Sequence, residues 1–177
     1  PQMSPEGGLS LSRTIEEDLS HRDFTINALA YSIKEKKIFS SPSSLEDLKN
    51  KIIKTVGQPQ ERFAEDPLRV MRMIRFSCLK DFSINSETFH AAKNFIEPLK
   101  LVSIERIRDE IIKILISDQP AQGFNLLAEL GILKIFLAEI DRTIGFEQNE
   151  FHKDDCSGFD NKESAKEALS VISQLRK

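Results

Sequence analysis

The sequence predicts a mainly α protein in which a short α/β segment leads into a bundle of helices. Two observations carry this. Runs rich in β-branched and aromatic residues, KKIF at 36–39 and IIKTV at 52–56, are short enough for strands and lie before Gly57 and Pro59. Past Pro67, apolar residues recur at helical spacing almost without interruption. The 177 residues suffice for one domain, or two small ones, with a real core.

Each element has its own signal. The first dozen residues are small and polar and read as a loop or a frayed end. Thr14 followed three residues later by Glu17 has the pattern of a capping box, with Asp18 and Ser20 as further cap choices. Residues 22–32, with Phe24, Ile26, Ala28, Leu29, Ala30 and Tyr31, read as a mostly buried helix. The two strands are joined through the turn-rich SSPSS and a helical LEDLKNK. Residues 68–80 form one helix and 86–96 another, with Ser86 as N-cap, and Pro98 then breaks the chain. Residues 103–116 carry a stripe of Ile104, Ile107, Ile111, Ile112 and Leu115, and helices over 119–129 and 132–140 flank Gly131. After Phe146 the chain turns polar, and an amphipathic stretch over 163–175 predicts a last helix. The expected units are 1–57, 58–140 and 141–177.

Composition excludes several classes. Apolar content of 40% with 30% charged residues is that of a globular protein, neither disordered nor fibrous. A net charge of −3 gives no global case for nucleic acid, so any such case must be local. Cys78 and Cys156 stand apart, with no CxxC, which fits a reducing, cytoplasmic setting. No apolar run reaches membrane-spanning length, and PQMSPEGGLSLSRT lacks the regions of a signal peptide. The missing initiator Met predicts that the chain begins inside a longer protein.

The local case is AEDPLRVMRMIRF, residues 64–76. Asp66 before Pro67 reads as an N-cap, with Glu65 at the positive helix end. In the plainest reading Arg69, Arg72 and Arg75 then coat a solvated face. Geometry opens another. Steps of three drift by only about 60° at 100° per residue, so Asp66 and Arg69 lie nearly side by side and Arg72 and Arg75 continue the spiral. With no acid from Pro67 to Lys80, this is a positive patch suited to phosphate, which guanidinium binds bidentately. A second constellation is DLSHRDFTINALAY, residues 18–31, with Arg22, Asp23 and Asn27 on one side. It reads either as a local Arg–Asp pair beside a capping Ser20 or as a polar site, since an amide enclosed in an apolar run needs hydrogen-bond partners.

HRDFTINALAY, followed by VGQPQERFAEDPLRVMRMIRF, resembles the RRDFTxNA and EDxxRxxRxxRF motifs of the bacterial-type (class II) tRNA nucleotidyltransferases, the CCA-adding enzymes. Related bacterial poly(A) polymerases share much of the pattern. SIERIRDEIIKIL at 103–115 is similar to the helix that buttresses the family's nucleotide-reading helix, and QGFNLLAELGIL continues the likeness. The resemblance spans about residues 16–155. It implies that 1–57 is the end of a nucleotidyltransferase head and 58–140 a helical neck and body. It also implies that the catalytic sheet, with its metal-binding DxD, lies upstream. The partners it implies are tRNA, CTP and ATP. Mg²⁺ would be bound by the upstream segment, and these 177 residues alone are expected to be inactive. Alternatives are a poly(A) polymerase or a non-catalytic RNA-binding piece.

The chemistry behind the resemblance is checkable. Cytosine and adenine present an amino donor beside a ring-nitrogen acceptor, and uracil and guanine present the reverse. A carboxylate only accepts and a guanidinium only donates, so one Asp–Arg pair accepts C or A and opposes U or G. The resemblance assigns base reading to Asp66 and Arg69. It gives Arg72 and Arg75 the triphosphate or the network around it, and Arg22, Asp23 and Asn27 the sugar and phosphate. This chain departs from the family at His21, where an arginine is usual and where histidine cannot be a permanent charge. It departs again at SSPSS, residues 40–44, which stands for an Asp-Pro-x-Gly-Gly-like turn. His152, Asp154 and Asp155 could suggest a metal, but one histidine with two adjacent acids in a polar stretch fits a solvated linker better. His90 lacks a partner pattern.

Overall fold

Thr14 opens the first helix of the computed structural model as its spacing predicts. Its Oγ1 accepts from the Glu17 N–H, and the Glu17 carboxylate accepts from the Thr14 N–H, closing the capping box of α1, Ile15–Ser20. The structure describes residues 14–142 and 144, and before them the backbone pairs 2–3 and 9–10. Those pairs form the antiparallel strands β1, Gln2–Met3, and β2, Leu9–Ser10. The expected terminal helix over 163–175, Cys156, and the His152, Asp154 and Asp155 group lie outside the described residues.

The single helix expected over 22–32 does not form. A 3₁₀ turn, Thr25–Asn27, is followed by β3, Leu29–Ser32, which pairs antiparallel with β4, Lys37–Ser40. The cause is the partner strand. Ala30 and Phe39 sit opposite each other and pack on Leu19, Ala28 and Val56, while the opposed Tyr31 and Ile38 face outward. That alternation is the period of a half-buried strand. Lys36, in the left-handed region at φ 51°, turns the hairpin, and Ser32 Oγ accepts from the Glu35 N–H.

The Ser-rich stretch then leads into α2, Ser44–Lys49. Ser43 takes the left-handed conformation that favours glycine, at φ 62°, and its hydroxyl donates to the buried Asp47 carboxylate. The second expected strand is only β5, Ile52–Ile53. It pairs not with β4 but in parallel with β6, Ser83–Ile84, while Thr55 bridges to Phe24.

The remainder is helical, so the protein is mainly α. Pro59 is the first residue of α3, Pro59–Glu65, because proline needs no N–H there; read as punctuation, it had hidden this helix. The next helix, α4, is Arg69–Ser77, two residues later than Asp66 and Pro67 suggest. Asp66 instead ends α3, and its Oδ1 accepts from the Leu68 N–H in a turn between the helices. Helix α5, Ser86–Ala92, is capped by Asn85 rather than Ser86 and runs into 3₁₀ turns. Helix α6 is Ile104–Leu115 and α7 is Pro120–Glu129. The helix expected over 132–140 splits at Leu137 into α8, Ile132–Phe136, and α9, Ala138–Asp141. Buried side chains of α4, α6 and α7 share one core with Phe24, Ile53 and Phe63, so the α/β segment is welded to the helices. Among the described residues no helix is long and apolar enough to cross a membrane.

The Asn85 cap is a joint between these parts. Its Oδ1 accepts from the N–H and hydroxyl of Thr88, whose Oγ1 in turn accepts from the Thr55 N–H. Asn85→Ala is expected to cost about 1–2 kcal/mol, at the upper end for a cap because the Thr88 hydroxyl loses its acceptor along with the Thr88 N–H. A urea unfolding midpoint equal to that of the unsubstituted chain would contradict this.

Candidate functional site

Six of the seven residues singled out from sequence meet in one cleft of about 590 Å³. Arg22, Asp23 and Asn27 come from the turn after α1, and Asp66, Arg69 and Arg72 from the α3–α4 junction and the start of α4. Leu68 and Phe76 give the cleft an apolar wall, and Phe76 packs edge-on against the fully buried Phe24. Arg75 is not in the cleft lining. It turns toward α6, where its Nε lies 2.8 Å from the buried Glu110 carboxylate, and it stacks on the Phe76 ring at 4.1 Å.

The arginines that lack acids on their own helix find them elsewhere. Arg72 reaches across 49 positions to Asp23, with Nε and Nη2 at 2.7 and 2.6 Å from Oδ2. The other oxygen of Asp23 accepts from the Phe24 N–H and the Asn27 amide, so this buried carboxylate has donors on both sides. Asn27 thereby finds the partner that its enclosure demanded. Arg22 pairs with Asp18 at the exposed rim.

Asp66 and Arg69 both line the cleft, but no hydrogen bond joins their side chains, and each is held by other groups. Asp66 Oδ2 accepts from Arg106 Nη2 at 2.8 Å. Arg69 Nη1 donates to the Arg62 carbonyl at 2.9 Å and to Glu65 Oε2 at 2.6 Å, and Nη2 lies 3.4 Å from the His21 carbonyl. A carboxylate oxygen has two lone pairs, so Asp66 keeps acceptor capacity toward the cleft and Arg69 keeps donors. The site therefore offers an acceptor and a donor near each other, ringed by Arg22, Arg72 and Arg106. A planar polar group attached to an anion matches that arrangement.

Arg106 and the His21 position complete the lining. Arg106 had not been singled out, because its partner lies 40 positions away. One signal was present: it is a cation in the first turn of α6, where the helix dipole opposes positive charge unless a remote acid compensates. Among the described residues no group of three or more His, Cys, Asp or Glu side chains could hold a metal ion. A second, smaller cleft of about 360 Å³ lies behind the 3₁₀ turn, between Ser41–Ser43 loop atoms and the start of α5.

Comparison with known proteins gives two family matches. The Poly A polymerase head domain matches residues 3–54, and the "probable RNA and SrmB-binding site of polymerase A" matches 81–144. A CCA-adding enzyme of Ligilactobacillus salivarius is 45% identical over 122 residues, 69% of this chain and 30% of that protein. One from Limosilactobacillus reuteri is 38% identical over 162 residues, 92% of this chain and 35% of that protein. The crystal structure of the Bacillus stearothermophilus CCA-adding enzyme in complex with CTP superimposes with a TM-score of 0.66 at 36% identity, covering 70% of this chain and 31% of that one. The Thermotoga maritima CCA-adding enzyme complexed with tRNA aligns with a TM-score of 0.63 at 28% identity, over 77% and 32%. The chain thus spans about a third of the length of the curated relatives it matches.

Proposed function

We propose that this chain, which belongs to the bacterial-type CCA-adding enzyme family of tRNA nucleotidyltransferases, selects the incoming nucleotide when C and A are added to a tRNA 3′ end from CTP and ATP. The observation that carries the reading is the convergence of Asp66 and Arg69 in one arginine-ringed cleft. Asp66 accepts from the amino group of cytosine or adenine, and Arg69 donates to the neighbouring ring nitrogen. Uracil and guanine would set a carbonyl against the carboxylate and an N–H against the guanidinium, a mismatch that a desolvated site punishes strongly. Arg22, Arg72 and Arg106 supply positive charge for the triphosphate, and Asp23 and Asn27 fix the wall that carries them. Arg75 serves the surrounding network by tying α4 to α6.

In this reading residues 1–57 belong to a head and 58–140 to a neck and body that meets tRNA, with 141–177 beyond. The family matches at 3–54 and 81–144 favour that division. A tRNA-directed activity assigns the chain to the cytoplasm. Mg²⁺ would be held by residues other than those described, and the sequence carries no Asp-x-Asp pair. These 177 residues alone are accordingly expected to incorporate no CTP. The Poly A polymerase match favours one rival, a polymerase making long A tracts.

The test is a chimera in which this chain replaces the matching segment of the Ligilactobacillus salivarius enzyme. On a tRNA lacking its end it should add three nucleotides. Asp66→Ala or Arg69→Ala should reduce discrimination against UTP and GTP by about 10²-fold or more, since sites built on hydrogen bonding reject mismatched analogues by several orders of magnitude. A long A tract would support the polymerase instead, and unchanged discrimination in both variants would refute the base-reading assignment.

A further inference from the structure

Arg69 can read a base only if its guanidinium is held still, and the hold comes from a residue outside the cleft. Both hydrogens of Arg69 Nη1 are consumed, one by the Arg62 carbonyl and one by Glu65 Oε2. What remains is the Nε–Nη2 edge, engaged among the described residues only by a long contact from Nη2 to the His21 carbonyl. That edge is a two-donor fork, the planar arrangement that makes arginine selective among acceptors.

Glu65 is a poor anchor by itself, because its side chain is 44% exposed and sits at the end of a seven-residue helix. It is steadied by Arg62 Nη1, which donates to the same oxygen at 3.0 Å. The three side chains form a ladder from position 62 to 65 to 69 that crosses the Asp66–Pro67 turn between α3 and α4. Arg62 is an unusual element for so short a ladder. Its side chain is only 14% exposed, and its buried Nε has no hydrogen-bond partner among the described residues. A mostly buried cation with an unmet N–H detracts from stability, and one ion pair to a half-wet glutamate does not offset that. The compensating return is order at Arg69.

We infer that Arg62 is a specificity-positioning residue: through Glu65 it locks Arg69 so that the Nε–Nη2 edge is the one presented to the base. The inference rests on Arg69 being the base reader, as proposed above. It separates from a purely structural role, because loss of the lock changes the ratio of nucleotide affinities, whereas loss of fold lowers them together. Arg62 gives Glu65 a single hydrogen bond, so a point charge should serve in its place and lysine should restore much of the function.

The experiment uses the 177-residue chain, with CTP and UTP binding measured by calorimetry and folding by circular dichroism. The unsubstituted chain is expected to prefer CTP. Arg62→Gln should reduce that preference about tenfold, and Arg62→Lys should recover most of it. Folded Arg62→Gln with an unchanged CTP-to-UTP ratio overturns the inference. If the unsubstituted chain binds CTP and UTP alike, or binds neither, base reading by this chain fails first, and that failure is visible without any variant. Should Arg62→Gln not fold, Glu65→Gln tests the same ladder from its middle. A nucleotide-independent readout stands beside these: the Arg69 Nη signals in ¹⁵N NMR should be separate in the unsubstituted chain and merge in Arg62→Gln. Merged signals in the unsubstituted chain would also overturn the inference.

Discussion

Asp23→Ala should lower the stability of the chain by about 3 kcal/mol, a large share of the 5–15 kcal/mol typical of a folded domain. The carboxylate is buried, and it accepts from the Phe24 N–H, the Asn27 amide and the guanidinium of Arg72. Alanine leaves all three donors without their acceptor and removes the ion pair that ties this segment to α4, leaving only the long contact from Arg69 to the His21 carbonyl among the described residues. Breaking a buried ion pair by removing one partner costs about 3–5 kcal/mol. The low end applies because the Arg72 side chain remains 34% exposed and can regain water, and because it keeps its contact with the Phe76 ring. Urea unfolding of Asp23→Ala, Arg72→Ala and the double variant gives the decisive comparison. The double variant should be less unstable than the sum of the singles by about 1–3 kcal/mol. Additivity to within about 0.5 kcal/mol would mean that the pair is incidental.

That pair also marks the boundary of what the sequence discloses. The capping box at Thr14 and Glu17 was legible because both partners lie within one helical turn. The helices after Pro67 were legible because the apolar period is local. Leu29–Ser32 was not, because a helix and a strand both suit its composition and the choice rests with Lys37–Ser40 across the hairpin. Pro59 was ambiguous in a different way, since the same ring that ends one element starts another. In the site, residue types and spacing pointed to six cleft residues, but their restraints could not be read. Asp23 and Arg72 lie 49 positions apart and Asp66 and Arg106 lie 40 apart, so only the folded chain shows that the arginine-rich helix borrows its acids from elsewhere. From sequence alone α4 reads as a start capped by Asp66 with its arginines facing solvent or phosphate. In the structure three of its arginines are held by carboxylates from three different segments.

The second large effect is expected at Gly123, where three helices converge. Gly123 lies in α7, packed against Ile114 of α6 and against Cys78 at the end of α4. A Cβ here would come within 2.4 Å of Ile114 Cγ2 and 2.7 Å of Cys78 Sγ, so even alanine requires these side chains or their helices to shift. Two terms oppose each other. Replacing glycine by alanine in a helix gains about 1 kcal/mol, and overpacking a close-packed core costs about 1–3 kcal/mol. With two contacts this short the packing term should win, leaving Gly123→Ala less stable by about 1–2 kcal/mol. Gly123→Val adds two methyl groups at the same point, so its loss should reach about 3 kcal/mol, a fall in Tm of roughly 6–12 °C for a chain of this size. Cys78 supplies an independent gauge. Burial raises its thiol pKa, which keeps the nucleophilic thiolate scarce while the helices stay packed. Gly123→Ala should therefore speed labelling of Cys78 by a thiol reagent, and adding Cys78→Ala should return part of the lost stability, about 0.5–1 kcal/mol, by clearing one of the two clashes. Gly123→Ala with undiminished Tm and an unchanged Cys78 labelling rate would show that the three helices have slack at this point.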